Sequence, residues 1–582
     1  MDDLSIERGK HTFKLGVNFR RDDVSDFTAS EGSFPAIQSS MLDFANGSAG
    51  VIQQNFAIHN SQPLAFYSVG FYFQDEFRVN SKLKLTLALR ADRNSGGTCQ
   101  SDCVSRGNVP FDQLSHDATI PFNQMVATGI SRILPNVERV VFEPRVGFAW
   151  SPLGDKTVIR GGIGLFSDLY PGQILDQFTT NFPQVTSFSL SSLGTIDASS
   201  NPNSAAALVA QCNTAFQNNF NSGGSVAGFL SAAPTGCATP NLNDVVGKLQ
   251  NPKYAEWNLM VQHTIGKRTV LSVNYVGNHG YDELLENPYL NSFGFGGLPS
   301  TAADSRVQNV LQLTNNGKSN YNGMTAAVQE QLWHGFSGQF SYTFSHTLDN
   351  VSNGGIDPYS FNDSLLNQIS PLSPTSLNYS NSDYDVRHSL NASYVWELPM
   401  KFENRALSTI AGGWTVSGTF FHRTGLPFSV VDGLTGANLV DGGTNLQNVT
   451  VLGQPIGAVP LSCDGASVNT ACFSASQFAS GSAVTTFGTI PRNSFRGPGF
   501  FNADLGLKKT FHFHERLAFT VGANAYNVFN HVNFANPISN LANSSNFGTI
   551  VSPVQPPTSP YGAFAAAATD ARIVQVMGKI TF

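Results

Sequence analysis

Apolar and polar side chains alternate along most of this chain with a period of two residues. In the stretch HTFKLGVNFR, apolar side chains occupy every second position from Phe13 to Phe19. The stretch KLKLTLALRAD repeats the pattern, with leucines at every second position from Leu83 to Leu89. Because successive side chains of a β-strand point to opposite faces, each stretch predicts a strand with one apolar and one polar face. We count about fourteen such strands of roughly 9–13 residues, the length that a tilted membrane-spanning strand needs.

Short and long connectors alternate between these strands, which predicts that the long connectors leave the sheet at one end. The short ones are residues 80–82, 151–156, 266–268, 333–335 and 512–515, and 399–410 is intermediate. The long ones are residues 92–141, 168–253, 279–320, 348–385, 424–499 and 529–571. Outer-membrane barrels combine short periplasmic turns with long extracellular loops. The predicted fold is therefore an all-β, antiparallel transmembrane β-barrel, formed by residues 1–582 as a single domain.

The composition supports a strand-built membrane protein and excludes other classes. Charged residues make up 13% of the chain, against about 25% in ordinary soluble domains. No apolar run reaches the roughly 18 residues of a transmembrane helix. The net charge is −7 without a run of Lys and Arg, so we expect no nucleic-acid partner. The acidic start MDDLSIERGKH lacks the pattern of a signal peptide, and we expect none.

The six cysteines fall into three local pairs, and each pair lies inside one polar long connector. Such pairs are typical of disulfides formed in an oxidising compartment, and a metal site is the less favoured alternative. The predicted pairs are Cys99 with Cys103, Cys212 with Cys237, and Cys463 with Cys472.

The sequence contains only weak candidates for catalytic or metal-binding motifs. His512 and His514 share one face of a strand end and could bind a metal, although a solvated turn is the favoured interpretation. Asp383 and Asp385 are interpreted as residues of a polar lumen or a loop base and not as an acid–base pair. We therefore expect no enzymatic activity, no catalytic residue, no metal and no cofactor.

The polar faces of the predicted strands carry the candidate functional residues. In a barrel that faces lipid with its apolar side chains, the opposite face lines a wet lumen. The charged residues predicted to line this lumen are Arg145, Arg160, Glu330, Asp385, Arg387 and Lys508.

Several segments together resemble the barrels of TonB-dependent outer-membrane receptors. The resemblance is carried by FYFQDEFRVNSKLKLTLALRAD, FEPRVGFAWSPLGDKTVIRGGIGLFSD, NPKYAEWNLMVQHTIGKRTVLSVNYVGNHG, YNGMTAAVQEQLWHGFSGQFSYTFSHTLDN and DYDVRHSLNASYVWELP. These segments are similar to the Oar-like group of Gram-negative bacteria, whose members often carry an N-terminal carboxypeptidase-regulatory-like domain. The resemblance covers nearly all of the strands and little of the long connectors.

The resemblance implies both a function and a set of partners. It implies a location in the outer membrane, contact with its lipid, and uptake of a sugar, peptide or chelate driven by the TonB complex acting on a plug domain. We expect this sequence to be a partial barrel that lacks the plug domain. The strand that ends at Phe582 is similar to the signal read by the barrel-assembly machinery. Full receptors have twenty-two strands, so we expect about fourteen to form an open, curved sheet or a distorted smaller barrel. The alternatives are a passive porin, a surface adhesion barrel or, less favoured, a soluble all-β binding protein or enzyme.

Overall fold

Fifteen long antiparallel strands form a continuous wall in which each strand pairs with the next one along the chain. The computed structural model describes residues 2–26, 36–38, 40–195, 203–350, 352, 377–400, 402–433, 452–463, 468–469, 471–479, 486–514, 517–554 and 571–582. The wall strands are β1 Asp2–Arg8, β2 His11–Asp26, β3 Gln62–Arg78, β4 Leu83–Asn94, β5 Val141–Trp150, β6 Thr157–Ser167, β7 Lys253–Ile265, β8 Thr269–Asn287, β9 Val310–Trp333, β10 Phe336–Asp349, β11 His388–Glu397, β12 Trp414–Arg423, β13 Phe500–His514, β14 Leu517–Tyr526 and β15 Ile573–Thr581.

Short and long connectors alternate without exception along this wall. The short connectors span residues 9–10, 79–82, 151–156, 266–268, 334–335, 398–413 and 515–516. The long connectors span residues 27–61, 95–140, 168–252, 288–309, 350–387, 424–499 and 527–572. Because neighbouring strands are antiparallel, all long connectors leave the wall at one end and all short ones at the other. Within the described residues, β1 pairs only with β2 and β15 only with β14.

The register of the wall separates an apolar face from a polar face. Phe71 lies opposite Val17, and Val146 lies between Leu87 and Ile163. Cross-strand neighbours share a face, so these apolar side chains form one continuous surface. Phe71 is 60% exposed, as expected of a face that meets lipid and not a protein core.

Tryptophan marks the short-connector end of the apolar face. Four of the five tryptophans adjoin short connectors and lie on or next to this face: Trp150, Trp333, Trp396 and Trp414. Tryptophan collects at the membrane–water boundary, because its ring is apolar and its N–H needs a polar partner. This end of the apolar face is therefore at headgroup depth.

Two features of the wall differ from the sequence prediction. Strand β1 was not predicted, because Asp2, Asp3, Glu7 and Arg8 leave only Leu4 and Ile6 to mark its apolar face. Several strands exceed the predicted 9–13 residues, among them β2 and β3 with 16 and 17. The longest are β8 and β9, with 19 and 24 residues. Their extra length lies at the long-connector end, where each extends beyond the pairing with its outer neighbour β7 or β10.

The long connectors fold into compact units with their own short elements. The described helices are α1 Met41–Ala45, α2 Gly172–Gln177, α3 Ala205–Ser222, α4 Val226–Ala232 and α5 Arg405–Ala411, and none is long and apolar enough to cross a membrane. The 3₁₀-helices are Phe111–Gln113, Phe122–Gln124, Gly154–Lys156, Phe178–Thr180 and Ala475–Gln477. The short strands are Ala36–Gln38, Ser48–Ala57, Thr98–Cys99, Val104–Gly107, Val126–Ile130, Val185–Thr195, Leu242–Val245, Ser380–Asn381, Pro427–Phe428, Gln454–Pro455, Phe478–Ala479 and Phe495–Arg496.

The largest of these units is built around helix α3. The Ser204 hydroxyl accepts a hydrogen bond from the backbone N–H of Ala207 and begins the helix, and Gly223 ends it with a φ of 70°. One face of α3 buries Phe216 among aromatic rings from the same long connector and from residues 95–140. The sequence predicts only a short helix here, although Val209, Cys212, Phe216 and Phe220 recur at helical spacing.

Three disulfides lie inside the long connectors. They join Cys99 to Cys103, Cys212 to Cys237 and Cys463 to Cys472, with Cα–Cα distances of 5.8, 5.7 and 5.5 Å. These are the three pairs that the sequence predicts, and no cysteine remains free. Each bond closes a ring within one connector, so it constrains that connector alone.

Candidate functional site: the covered end of the wall

Buried ion pairs fix two long connectors to the wall, and Arg492 lies at the centre. Arg492 belongs to connector 424–499 and is completely buried. Its Nη1 lies 3.1 Å from Oδ1 of Asp383, and its Nη2 contacts the carboxylate of Asp349 and donates to the Asp349 carbonyl at 3.0 Å. Asp349 ends β10, and Asp383 belongs to connector 350–387. One guanidinium thus joins a strand and two connectors.

A second buried carboxylate lies beside this group. The side chain of Asp385 is fully buried and accepts a hydrogen bond from Nε of Arg387 at 3.0 Å and one from Nη2 of Arg496. The backbone N–H of Thr347 donates to Asp385 at 2.7 Å. Asp385 therefore connects β10 and both connectors, as Arg492 does. We call Asp349, Asp383, Asp385, Arg387, Arg492 and Arg496 the ion-pair cluster.

The pKa values of the two central aspartates of the cluster are shifted in opposite directions. Burial raises the pKa of Asp383 to about 6, although Arg492 and Asn493 act in the opposite direction. Burial also acts to raise the pKa of Asp385, but hydrogen bonds from Thr347 and Arg496 outweigh it and leave this pKa lowered. Within the described residues, Oδ2 of Asp383 has no hydrogen-bond partner, which is consistent with a carboxyl that holds a proton readily.

The raised pKa of Asp383 predicts a pH dependence of connector stability. Between about pH 4 and pH 6, the folded protein retains a proton on Asp383 that the unfolded chain has lost. The free energy of unfolding contributed by this group is therefore largest below pH 4 and falls as the pH rises through 6. Urea titrations that follow connector proteolysis at pH 4.5 and 7 should show this fall, and Asp383→Asn should reduce it. An equal fall in both proteins would contradict the assignment.

A separate ion pair holds connectors 288–309 and 95–140 together. Arg306 is 1% exposed and binds Asp304 through two hydrogen bonds, of 3.0 and 2.6 Å. The same guanidinium donates to the carbonyls of Ser115 and Ile120, and the Asn291 side chain donates to the Asp304 carbonyl at 2.9 Å. The described residues of these connectors therefore form a folded layer at this end of the wall, which we call the cover. It comprises the described parts of connectors 95–140, 168–252, 288–309, 350–387 and 424–499.

Below the cover, the polar face has a charged part and a part with mostly uncharged side chains. On β2 to β6, Glu76 binds Lys14 at 2.8 Å and also contacts Lys84, while Arg145 binds the buried Glu143 at 2.6 Å. On β9 to β14, mostly amide and hydroxyl side chains line a groove with a volume of 590 Å³. Asp504 is the carboxylate that lines this groove from the polar face. The polar-face side chains of the groove are Gln329, Gln331, Ser337, Gln339, Ser393, Val395, Ser417, Thr419, Asp504, Asn524 and Tyr526.

The six residues predicted to line a lumen are distributed over three places. The register places Arg145, Arg160 and Lys508 on the polar face. Asp385 and Arg387 precede β11 and belong to the ion-pair cluster, with which the sequence did not connect them.

The prediction for Glu330 is wrong. It shares a face with Val328 and Met324, on the apolar side of β9, and lies opposite Thr269. The hydroxyl of Thr269 donates to it at 2.5 Å. A carboxylate is tolerated here because the short-connector end is at headgroup depth, where charge costs little.

The possible metal ligands His512 and His514 and the possible assembly signal at Phe582 remain untested predictions. His512 lies on the polar face opposite Ala518, and His514 follows a register shift. Among the described residues, no group of three or more His, Cys, Asp and Glu side chains could hold a metal ion. Phe582 follows β15 and is 96% exposed.

Solved structures similar to this chain are outer-membrane receptors and transporters. They include a mutant ferric enterobactin receptor, PfeA, of Pseudomonas aeruginosa (11% identity, TM-score 0.44, 100% of this chain and 52% of that one). The FrpB iron transporter of Neisseria meningitidis is also similar, with 12% identity and a TM-score of 0.42 over 99% of this chain and 53% of that one. The outer membrane transporter YddB of Escherichia coli has 12% identity and a TM-score of 0.37 over 94% of this chain and 60% of that one. The chain spans between half and three fifths of the length of these proteins. No curated protein matches the sequence.

A family model covers almost the whole chain. The model of the outer membrane beta barrel domain matches residues 1–575. This match confirms the fold class, the location in the outer membrane and the barrel resemblance inferred from the sequence. With its lipid-facing apolar surface and its alternating connectors, the chain belongs to the outer membrane beta barrel domain family.

Proposed function

We propose that this chain supplies the wall and the extracellular cover of a TonB-dependent outer-membrane transporter. The observation that carries the proposal is the cover: long connectors leave the wall at one end only, and buried ion pairs tie them to it. A cover with its own cores favours selective capture of a ligand over free diffusion through an open pore.

The groove, which carries one carboxylate among mostly uncharged side chains, favours a sugar or a peptide as the substrate class. Its polar-face side chains are mostly amides and hydroxyls, which donate and accept hydrogen bonds without a fixed charge. Such side chains suit neutral, hydrogen-bonding ligands, and a bare metal ion would need more carboxylates. A chelate remains the third class that fits a receptor of this type.

TonB dependence tests the proposed transport. Cells that carry the full-length protein should accumulate labelled oligosaccharides or peptides, and deletion of TonB should reduce uptake to the level of cells without the receptor. The physical reason is that a covered barrel needs external work to admit its ligand. Cells without the receptor, with and without TonB, are the controls.

Two outcomes would contradict the proposal. Uptake that is unchanged without TonB would support a passive porin. Surface binding that never leads to accumulation would support an adhesion barrel.

A further inference from the structure

One short connector differs from the other six because its described residues include an α-helix. Residues 398–413 include α5, Arg405–Ala411, which begins after the cap Asn404. Leu407 and Ile410 lie three residues apart and therefore on the same side of the helix. They are 49% and 69% exposed, so this side of α5 is largely unpacked against the other described residues.

The end of α5 is attached to the apolar face of the wall. The carbonyl of Ile410 accepts hydrogen bonds from Nζ of Lys509 and from Nε1 of Trp414, both at 3.0 Å. Lys509 also donates to the carbonyl of Gly412. Lys509 and Trp414 lie directly opposite each other in the register, on the face that meets lipid.

The position of Lys509 is informative because a buried cation needs compensating partners. Lys509 is 3% exposed and lies 5.1 and 5.5 Å from the ring centres of Phe511 and Trp414. Its charge is compensated by the free carbonyls at the end of α5, which carry partial negative charge. The lysine thus fixes the helix on the lipid side of the wall.

The tryptophans define the depth of the helix. Trp414 belongs to the group that marks the headgroup region at the short-connector end, and it contacts the last turn of α5. The exposed side chains of α5 therefore continue the apolar surface of the wall at its boundary with water.

We propose that α5 lies in the periplasmic leaflet and inserts Leu407 and Ile410 between phospholipid headgroups and acyl chains. Lys509 is a positioning residue for this contact. A helix of seven residues is too small for a stable protein interface, which needs about 1,000 Å². Two apolar side chains beside an established lipid-facing surface instead fit an interfacial helix.

Fluorescence quenching tests this contact in the full-length protein, reconstituted into vesicles of phosphatidylethanolamine and phosphatidylglycerol. The six cysteines are paired, so Ile410→Cys provides a single site for a label. We expect lipids with a spin label near the headgroup to quench a probe at position 410, and aqueous iodide to quench it weakly. A probe at Ser408→Cys, on another side of α5, should be quenched by iodide instead.

Two outcomes would overturn the proposal. Strong iodide quenching at both positions would place α5 in water. Protection from iodide without quenching by lipid would indicate a protein partner.

A matched pair of lysines tests the positioning role. Lys509→Met should increase iodide quenching at position 410 and decrease lipid quenching, because the end of α5 loses its attachment. Lys508→Met, on the opposite face of β13, should leave both unchanged. Equal quenching in both variants would refute the role of Lys509. If Lys509→Met fails to fold, Leu407→Cys offers a second measurement of depth.

Discussion

Replacing Arg492 by methionine is expected to destabilise the cover by about 3–5 kcal/mol, because it leaves buried carboxylates without their cation. Arg492 is fully buried, and Asp349 and Asp383 both contact its guanidinium. Methionine fills a similar volume but cannot donate a hydrogen bond. Connectors 350–387 and 424–499 should therefore detach from β10, while the hydrogen-bonded wall persists.

Limited proteolysis of intact cells, followed in increasing urea, measures this change on the outer surface. Arg20→Met is the control, since Arg20 binds Asp22 at 2.7 Å but its side chain is 61% exposed. An exposed pair contributes about 0–1 kcal/mol. Equal protease resistance of the two variants would show that the ion-pair cluster does not hold the cover.

Replacing Phe216 by alanine should destabilise the unit around α3 by about 3–5 kcal/mol, the usual loss for a buried aromatic ring. Phe216 is fully buried, and its ring lies 5.1 Å from that of Phe122 and 5.4 Å from that of Phe229. Phe122 comes from connector 95–140, so the loss should loosen two connectors together.

The measurement is the protease sensitivity of connectors 95–140 and 168–252 in the full-length protein, alongside the heat-dependent gel mobility of the barrel. Thr214→Ala is the control, because Thr214 lies on the exposed side of α3, where substitutions change stability by about 0.5 kcal/mol or less. If Phe216→Ala abolished the wall as well, the cover and the wall would be one cooperative unit.

The wall could be predicted from the sequence because alternation is a local property. Phe13 to Phe19 and Leu83 to Leu89 show the two faces of their strands without any knowledge of their neighbours. Where charged residues dominate a strand, the signal disappears, as in β1. Glu330 shows a related limit, since a charged side chain near a strand end does not reveal which face it is on.

The cover could not be predicted because its contacts are distant in sequence. Arg492 lies 109 positions from Asp383 and 143 from Asp349, and no period or motif links them. The sequence places Asp383 and Asp385 at the base of a loop or in a lumen. It does not indicate which arginines bind them. Only the cysteines indicated that these connectors have fixed structure, because their pairing is local.

The placement of the disulfides has a mechanical consequence. Every crosslink stays within one connector, and none joins a connector to a strand or to another connector. Three connectors of the cover are thus crosslinked internally. The contacts that hold the cover to the wall are noncovalent, and they include backbone pairing of Leu242–Val245 with β9 and of Thr98–Cys99 with β3. Separation of a connector from the wall would therefore break no disulfide bond.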